Sequence, residues 1–155
     1  RDADADRHLL RLGPVAVAVR AWGGDDLADP AALRAGGLDD EEALALADDA
    51  VAVAAGEQEF RRRCGALDLS CAQCHEANAG KKLRDETISE GQTNGFPAYR
   101  LRWQGVGSLH RRFQVCNQAV ASEPYPLGSQ EYIALEWYLA KRGAGLAVET
   151  PAVRQ

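Results

Sequence analysis

From Asp39 onward the chain alternates between runs whose apolar positions recur at helical spacing and runs with no period. Asp39-Asp40-Glu41-Glu42 puts acid where a helix macrodipole favours it, and Leu44, Ala47, Val51 and Ala54 follow at steps of three, four and three. That spacing predicts a helix over about 39–54, with Gly56 either interrupting it or opening the next helix, which carries Glu57 to Arg63 onward. Before it, Ala31 to Arg34 reads as a short helical turn closed by Gly36-Gly37. Glu76 to Pro97 is rich in Gly, Ser, Thr and Asn with few large apolar residues, so loop is expected. Ala98 to Arg102 reads as a short helix, and Leu109 to Val120 as a longer one ended by Pro124 and Pro126. Gln130 to Lys141 follows, with Ser129 as N-cap and Tyr132, Leu135, Glu136 and Leu139 at helical spacing before the Arg142-Gly143 stop. The expected fold class is mainly α, with long loops around something other than a large aliphatic core.

Composition narrows the partners. The 155 residues fit one domain plus an arm, and 46% hydrophobic with 26% charged residues is an ordinary globular mixture. A net charge of −5 argues against nucleic acid, whose phosphates need a basic face. No apolar run approaches the ~18 residues a membrane span requires. Residues 1 to about 55 hold no cysteine, one histidine (His8) and no nucleotide motif, and read as a packing extension ahead of a second region from residue 56. The chain begins at Arg1 rather than a methionine, which fits a processed export product or a trimmed sequence.

Chemistry concentrates in Ser70-Cys71-Ala72-Gln73-Cys74-His75, a C-x-x-C-H run. Two thiols at this spacing add to the vinyl groups of one haem while the adjoining histidine reaches the iron. A zinc site would need a second ligand pair, and neither another C-x-x-C nor a histidine pair exists. One covalent haem c is therefore expected on Cys71 and Cys74, with His75 proximal. Phe60 ahead of the motif and the aromatic run Tyr132 to Tyr138 near the end match the arrangement of small c-type cytochromes. Haem attachment of this kind takes place on the exported side in bacteria, which makes the periplasm the expected compartment.

The usual distal ligand of electron-carrier cytochromes c is methionine, and the sequence contains none. His8, His110, Cys64 and Cys116 are the alternatives. Cys64 lies seven residues before Cys71, on the attachment side, and His8 is remote. His110 and Cys116 are six apart, on different faces of one helix, so one of the two faces iron. Arg111 and Arg112 precede Cys116, and positive charge favours a thiolate, which makes Cys116 the stronger candidate. His75/His110 ligation in a purely electron-transferring cytochrome is the alternative.

The stretches "LSCAQCHEANAGKKLR", "GFPAYRLRW", "RRFQVCN" and "EPYPLGSQEY" make the region from Leu69 to Gln155 closely similar to the C-terminal haem domain of the SoxA family, the catalytic subunits of the SoxAX cytochromes of bacterial sulfur oxidation. The resemblance implies a cytochrome c-like fold over about residues 57–155. It implies that Cys116 is the distal haem ligand, open to persulfide formation, and that Arg112 is the matching active-site arginine. It implies an L-cysteine S-thiosulfotransferase that couples thiosulfate to a cysteine of a SoxY-type carrier (SoxYZ), in a heterodimer with a SoxX-type cytochrome that passes electrons to a downstream cytochrome c acceptor. Thiosulfate dehydrogenation to tetrathionate is the neighbouring chemistry. The cations Lys81, Lys82, Arg84, Arg100, Arg102, Arg111 and Arg112 all lie in this half, and all but Arg112 read first as solvated surface.

The chain departs from the family pattern in two places. Longer SoxA proteins carry a first cytochrome-like domain, whereas here residues 1–55 read as an extension or reduced remnant, so a second haem is not expected. Cys64 has no match in the family pattern and is either a buried thiol or an intermolecular link.

Overall fold

The computed structural model describes residues 31, 34, 37, 39–84 and 86–154. Expectations for His8 and the rest of residues 1–30 lie outside the described residues. Ala31 and Arg34 are helical, and the Gly37 N–H donates to the Arg34 carbonyl at 2.9 Å. The chain divides into two units at Val51–Ala52.

Helix α1 spans Asp40–Arg61. Its start is a reciprocal cap, in which Asp39 Oδ1 accepts from the Glu42 N–H at 2.9 Å and Glu42 Oε2 accepts from the Asp39 N–H at 3.4 Å. The helix runs straight through Gly56 instead of breaking there. A glycine inside a helix costs about 1 kcal/mol against alanine, and here it is needed for contact. A β-carbon on Gly56 would stand 2.0 Å from the Ala134 carbonyl oxygen and 2.7 Å from Tyr138 Cβ.

Those two residues belong to α4, Gln130–Arg142, which Ser129 caps as the sequence indicates. Between α1 and α4 in the chain come α2, Cys71–His75, and α3, Leu109–Ala119, which opens with the Ser108 hydroxyl accepting from the Arg111 N–H. Phe60, Leu109, Phe113, Tyr132, Leu135, Tyr138 and Leu139 form the core, and Cys71 and Ala72 of the motif pack against it. Phe60 and Tyr132 are almost wholly buried, each contributing on the order of 1.5–3 kcal/mol of transfer free energy.

The connections hold more structure than expected. Within the Glu76 to Pro97 stretch, β1 (Lys82–Leu83) pairs antiparallel with β2 (Glu86–Thr87). Ala98 to Arg102 is not a helix: β3 is Ala98–Arg100, followed by a 3-10 turn at Leu101–Trp103. β3 is central in a three-stranded sheet, antiparallel to β4 (Gly105–Gly107) and parallel to β5 (Ala152–Arg154). Ladder bonds from both sides override the local helical preference of so short a segment. The register sets Tyr99 opposite both Val106 and Val153, so that Ala98 and Arg100 point to the other, buried face. Helices carry the core and small sheets carry the loops. Among the described residues, no helix is long and apolar enough to cross a membrane.

Candidate haem and thiol site

Ser70 starts the motif helix by a capping box: its hydroxyl accepts from the Gln73 N–H at 3.4 Å, and Gln73 Oε1 accepts from the Ser70 N–H at 2.8 Å. This local circuit holds Cys71, Cys74 and His75 on one short helix at relative positions one, four and five. Cys71 is half-buried against the core. Burial pushes its thiol up to about 12, and the nearby Cys116 and Cys64 sulfurs act in the same sense.

His75 is oriented from its other side. Its Nδ1 lies 2.8 Å from the Ser89 carbonyl oxygen, so Nδ1–H donates and the Nε2 lone pair is left for a metal. Gly91 makes room for the ring: at φ 76°, a β-carbon there would sit 3.0 Å from His75 Cγ. Burial lowers the His75 pKa, the Ser89 carbonyl opposes this, and Arg112 and Arg142 reinforce it. The neutral imidazole is the form that ligates. Arg142 also fixes the loop, donating to the Glu90 carbonyl at 3.2 Å while its guanidinium stands 4.6 Å over the Phe60 ring. Sequence reading missed Ser89, Gly91 and Arg142. The glycine was visible, but nothing in the string says which ring it would face.

On the opposite helix the two distal candidates separate. His110 Nδ1 accepts from the Gly128 N–H at 3.1 Å, and its Nε2 is 2.9 Å from Glu136 Oε2, outside hydrogen-bond geometry. Its ring packs 5.9 Å from Phe113 and 5.5 Å from Tyr132. His110 is thus engaged between α3 and α4. The Cys116 sulfur is near enough to act on the Cys71 thiol, and the Cys74 sulfur near enough to act on Cys116.

The electrostatic expectation at Cys116 needs correction. Burial is the largest influence and raises its pKa, while Arg112 and then Arg100 pull it down without prevailing. Arg111 is not part of this field: its guanidinium stacks 4.5 Å over the Trp103 ring. A neutral, desolvated thiol becomes a thiolate when a cation binds it, and bonding to iron supplies that. Cys64 is unbridged and half-buried, with its Sγ donating to the Leu69 carbonyl at 3.6 Å inside the turn that precedes the motif. Lys82, Arg84 and Arg102 are exposed, as expected for solvated surface.

These residues fit a covalent haem. Two thiols on one helical turn, an imidazole with Nδ1 already engaged, and a further thiol on a separate helix are the donors that such a group requires. Among the described residues, no cluster of three or more His, Cys, Asp or Glu offers an ion site by itself.

Comparison with known proteins places the same residues in context. No family model matches the chain. It is 47% identical over 100 residues to the L-cysteine S-thiosulfotransferase subunit SoxA of Pseudaminobacter salicylatoxidans, covering 64% of this chain and 35% of that protein. The SoxA subunit of Allochromatium vinosum is 42% identical over 113 residues, covering 70% and 40% respectively. The crystal structure of SoxXA from P. pantotrophus superposes with a TM-score of 0.65 at 35% identity, over 76% of this chain and 51% of that one. The chain spans about a third of the length of the curated relatives it matches.

Proposed function

Because its haem-motif half is a SoxA-type domain, we propose that this chain is the haem c subunit of a thiosulfate-oxidising sulfurtransferase. The reaction joins the outer sulfur of thiosulfate to a cysteine of a SoxY-type carrier: R–SH + S2O3²⁻ → R–S–S–SO3⁻ + H⁺ + 2e⁻. One sulfur–sulfur bond forms, the carrier thiol loses its proton, and the two electrons pass to a SoxX-type partner and a cytochrome acceptor. A haem held by these residues would supply the one-electron exits that a thiol pair lacks.

The chain's own residues do the rest. Cys71 and Cys74 would tether one haem, with His75, through Nε2, and Cys116 as the residues that would ligate its iron. Arg112 stands one helical turn before Cys116 and offers a guanidinium to the sulfonate end of the substrate. The observation that supports this reading best is that His110 is engaged by the Gly128 N–H and the Phe113 and Tyr132 rings, which leaves Cys116 as the distal candidate on α3. Periplasmic residence follows from covalent haem attachment.

The test is to incubate the haem-loaded complex of this subunit and its cytochrome partner with thiosulfate, ferricytochrome c and a SoxYZ carrier. Intact-mass measurement should find one thiosulfonate group added to the carrier cysteine. Tetrathionate formed equally well without carrier would replace the transferase by a thiosulfate dehydrogenase.

A further inference from the structure

The backbone that orients His75 lies in an exposed stretch. Ser89, whose carbonyl oxygen is 2.8 Å from His75 Nδ1, and Glu90 are both exposed, so apolar burial does not hold them in place. Two bonds made there anchor the loop to nothing outside itself: the Gly91 N–H donates to Ser89 Oγ at 3.3 Å, and Gln92 Nε2 donates to Glu90 Oε2 at 2.9 Å. A carbonyl that water can reach gives an imidazole N–H little direction unless something rigid fixes it.

Arg142 supplies the anchor. It ends α4, and its Nη1 donates to the Glu90 carbonyl at 3.2 Å. His75 is met on both sides of that point, by the Ser89 carbonyl and by the Gly91 backbone, where a β-carbon would stand 3.0 Å from its Cγ. The other guanidinium nitrogen, Nη2, is 3.7 Å from Oε1 of Glu76, the residue after His75, and Arg61 Nη1 holds the second Glu76 oxygen at 3.1 Å. Beneath the guanidinium lie two buried rings, Phe60 at 4.6 Å and Tyr138 at 5.9 Å. The contacts close a circuit from His75 through Ser89 and Glu90 to Arg142, and back through Glu76. Lys141, one residue earlier, is exposed and serves the C-terminal dipole of α4 from solvent, so the dipole does not require Arg142 to turn inward.

We infer that Arg142 is a positioning residue for the proximal ligand: by bracing Glu90 and Glu76 it holds the Ser89 carbonyl on His75 Nδ1, and so sets how strongly the imidazole Nε2 donates to a haem iron. A fixed acceptor on Nδ1–H raises the basicity of the ligand. A planar guanidinium can meet a carbonyl and a carboxylate while stacked on a ring, which a single ammonium does less well. The inference rests on haem ligation by His75 and is independent of the sulfur compound transferred.

The test uses the haem-loaded full chain with nitrogen-labelled histidine. In the ferric protein the His75 Nδ1 proton is followed by its hyperfine-shifted NMR signal, and its exchange with solvent is timed for wild type, Arg142→Gln, Arg142→Lys and Arg61→Gln, together with the low-spin EPR signal. In Arg142→Gln exchange should quicken roughly tenfold, as for loss of one anchoring hydrogen bond, and the EPR signal should change while covalent haem remains. Arg142→Lys should fall between this variant and wild type. Arg61→Gln removes a cation from the same Glu76 but touches no loop carbonyl, and should match wild type. Unchanged exchange in Arg142→Gln, or equal acceleration in Arg61→Gln, would overturn the brace. Should Arg142→Gln fail to fold, the wild type decides: the Arg142 guanidinium protons and the His75 Nδ1 proton must slow and quicken together as denaturant is varied, since one opening frees both, and separate dependences overturn the inference. Absence of covalent haem from the wild type, read by pyridine haemochrome, would overturn the haem reading itself, whereas refutation of the brace leaves that reading standing.

Discussion

The α-carbon of Gly56 faces the carbonyl oxygen of Ala134 so closely that a β-carbon would stand 2.0 Å from it. This contact sets how near α1 approaches α4, and with it the packing of Phe60 against Tyr138 at 5.3 Å between ring centres. Gly56→Ala gains helix propensity yet must push the helices apart. We expect net destabilisation of about 1–3 kcal/mol, the usual cost of overpacking. Chemical denaturation of the haem-loaded protein measures it, and a more stable variant would show that the two helices yield freely.

The Gly91 and His75 pair makes a second prediction. A β-carbon at position 91 meets the imidazole at 3.0 Å and strains a backbone at φ 76°. Gly91→Ala should therefore tilt the proximal ring and lengthen the Ser89 contact. The expected readout is an altered low-spin EPR signal and a shifted midpoint potential, with haem still attached through Cys71 and Cys74. An unaltered EPR signal would mean that the loop moves aside without disturbing the ligand.

His110 tests the bis-histidine alternative. Its Nδ1 satisfies the Gly128 N–H, and its ring packs on Phe113 and Tyr132. His110→Ala should cost about 1–3 kcal/mol through an unsatisfied donor and lost packing, while leaving the haem spectrum as it was. Loss of the low-spin spectrum on this substitution would move the distal ligand from Cys116 to His110.

Cys116→Ala gives the complementary outcome. Covalent haem should remain, while the near-infrared thiolate-to-iron charge-transfer band and coupling of thiosulfate to the carrier should both disappear. Pyridine haemochrome quantitation should still find one haem per chain. Full transferase activity in this variant would reduce the cysteine to a core thiol.

What the sequence determined by itself is local information. Ser70, Ser108 and Ser129 each precede a helix as caps, because a hydroxyl needs only the N–H groups two or three residues ahead of it. The C-x-x-C-H spacing likewise needs one turn of helix, and the absence of methionine narrows the distal ligand by composition alone. The resemblance of the "RRFQVCN" and "GFPAYRLRW" runs to a known family added the proposed activity, which no spacing rule contains.

Tertiary structure decided whatever depends on residues far apart in the chain. β3 is a strand because β5, some fifty residues later, pairs with it. Gly56 continues a helix because Ala134 occupies the space its side chain would need. The Cys116 thiol is raised rather than lowered, since desolvation by surrounding elements outweighs the arginine one turn away. Arg100 differs from a surface cation only because the sheet buries it, and Arg111 is diverted because Trp103 lies beneath it. Charge patterns along a sequence give the sign of a field, but its strength depends on how much water the fold excludes, and that is a property of packing.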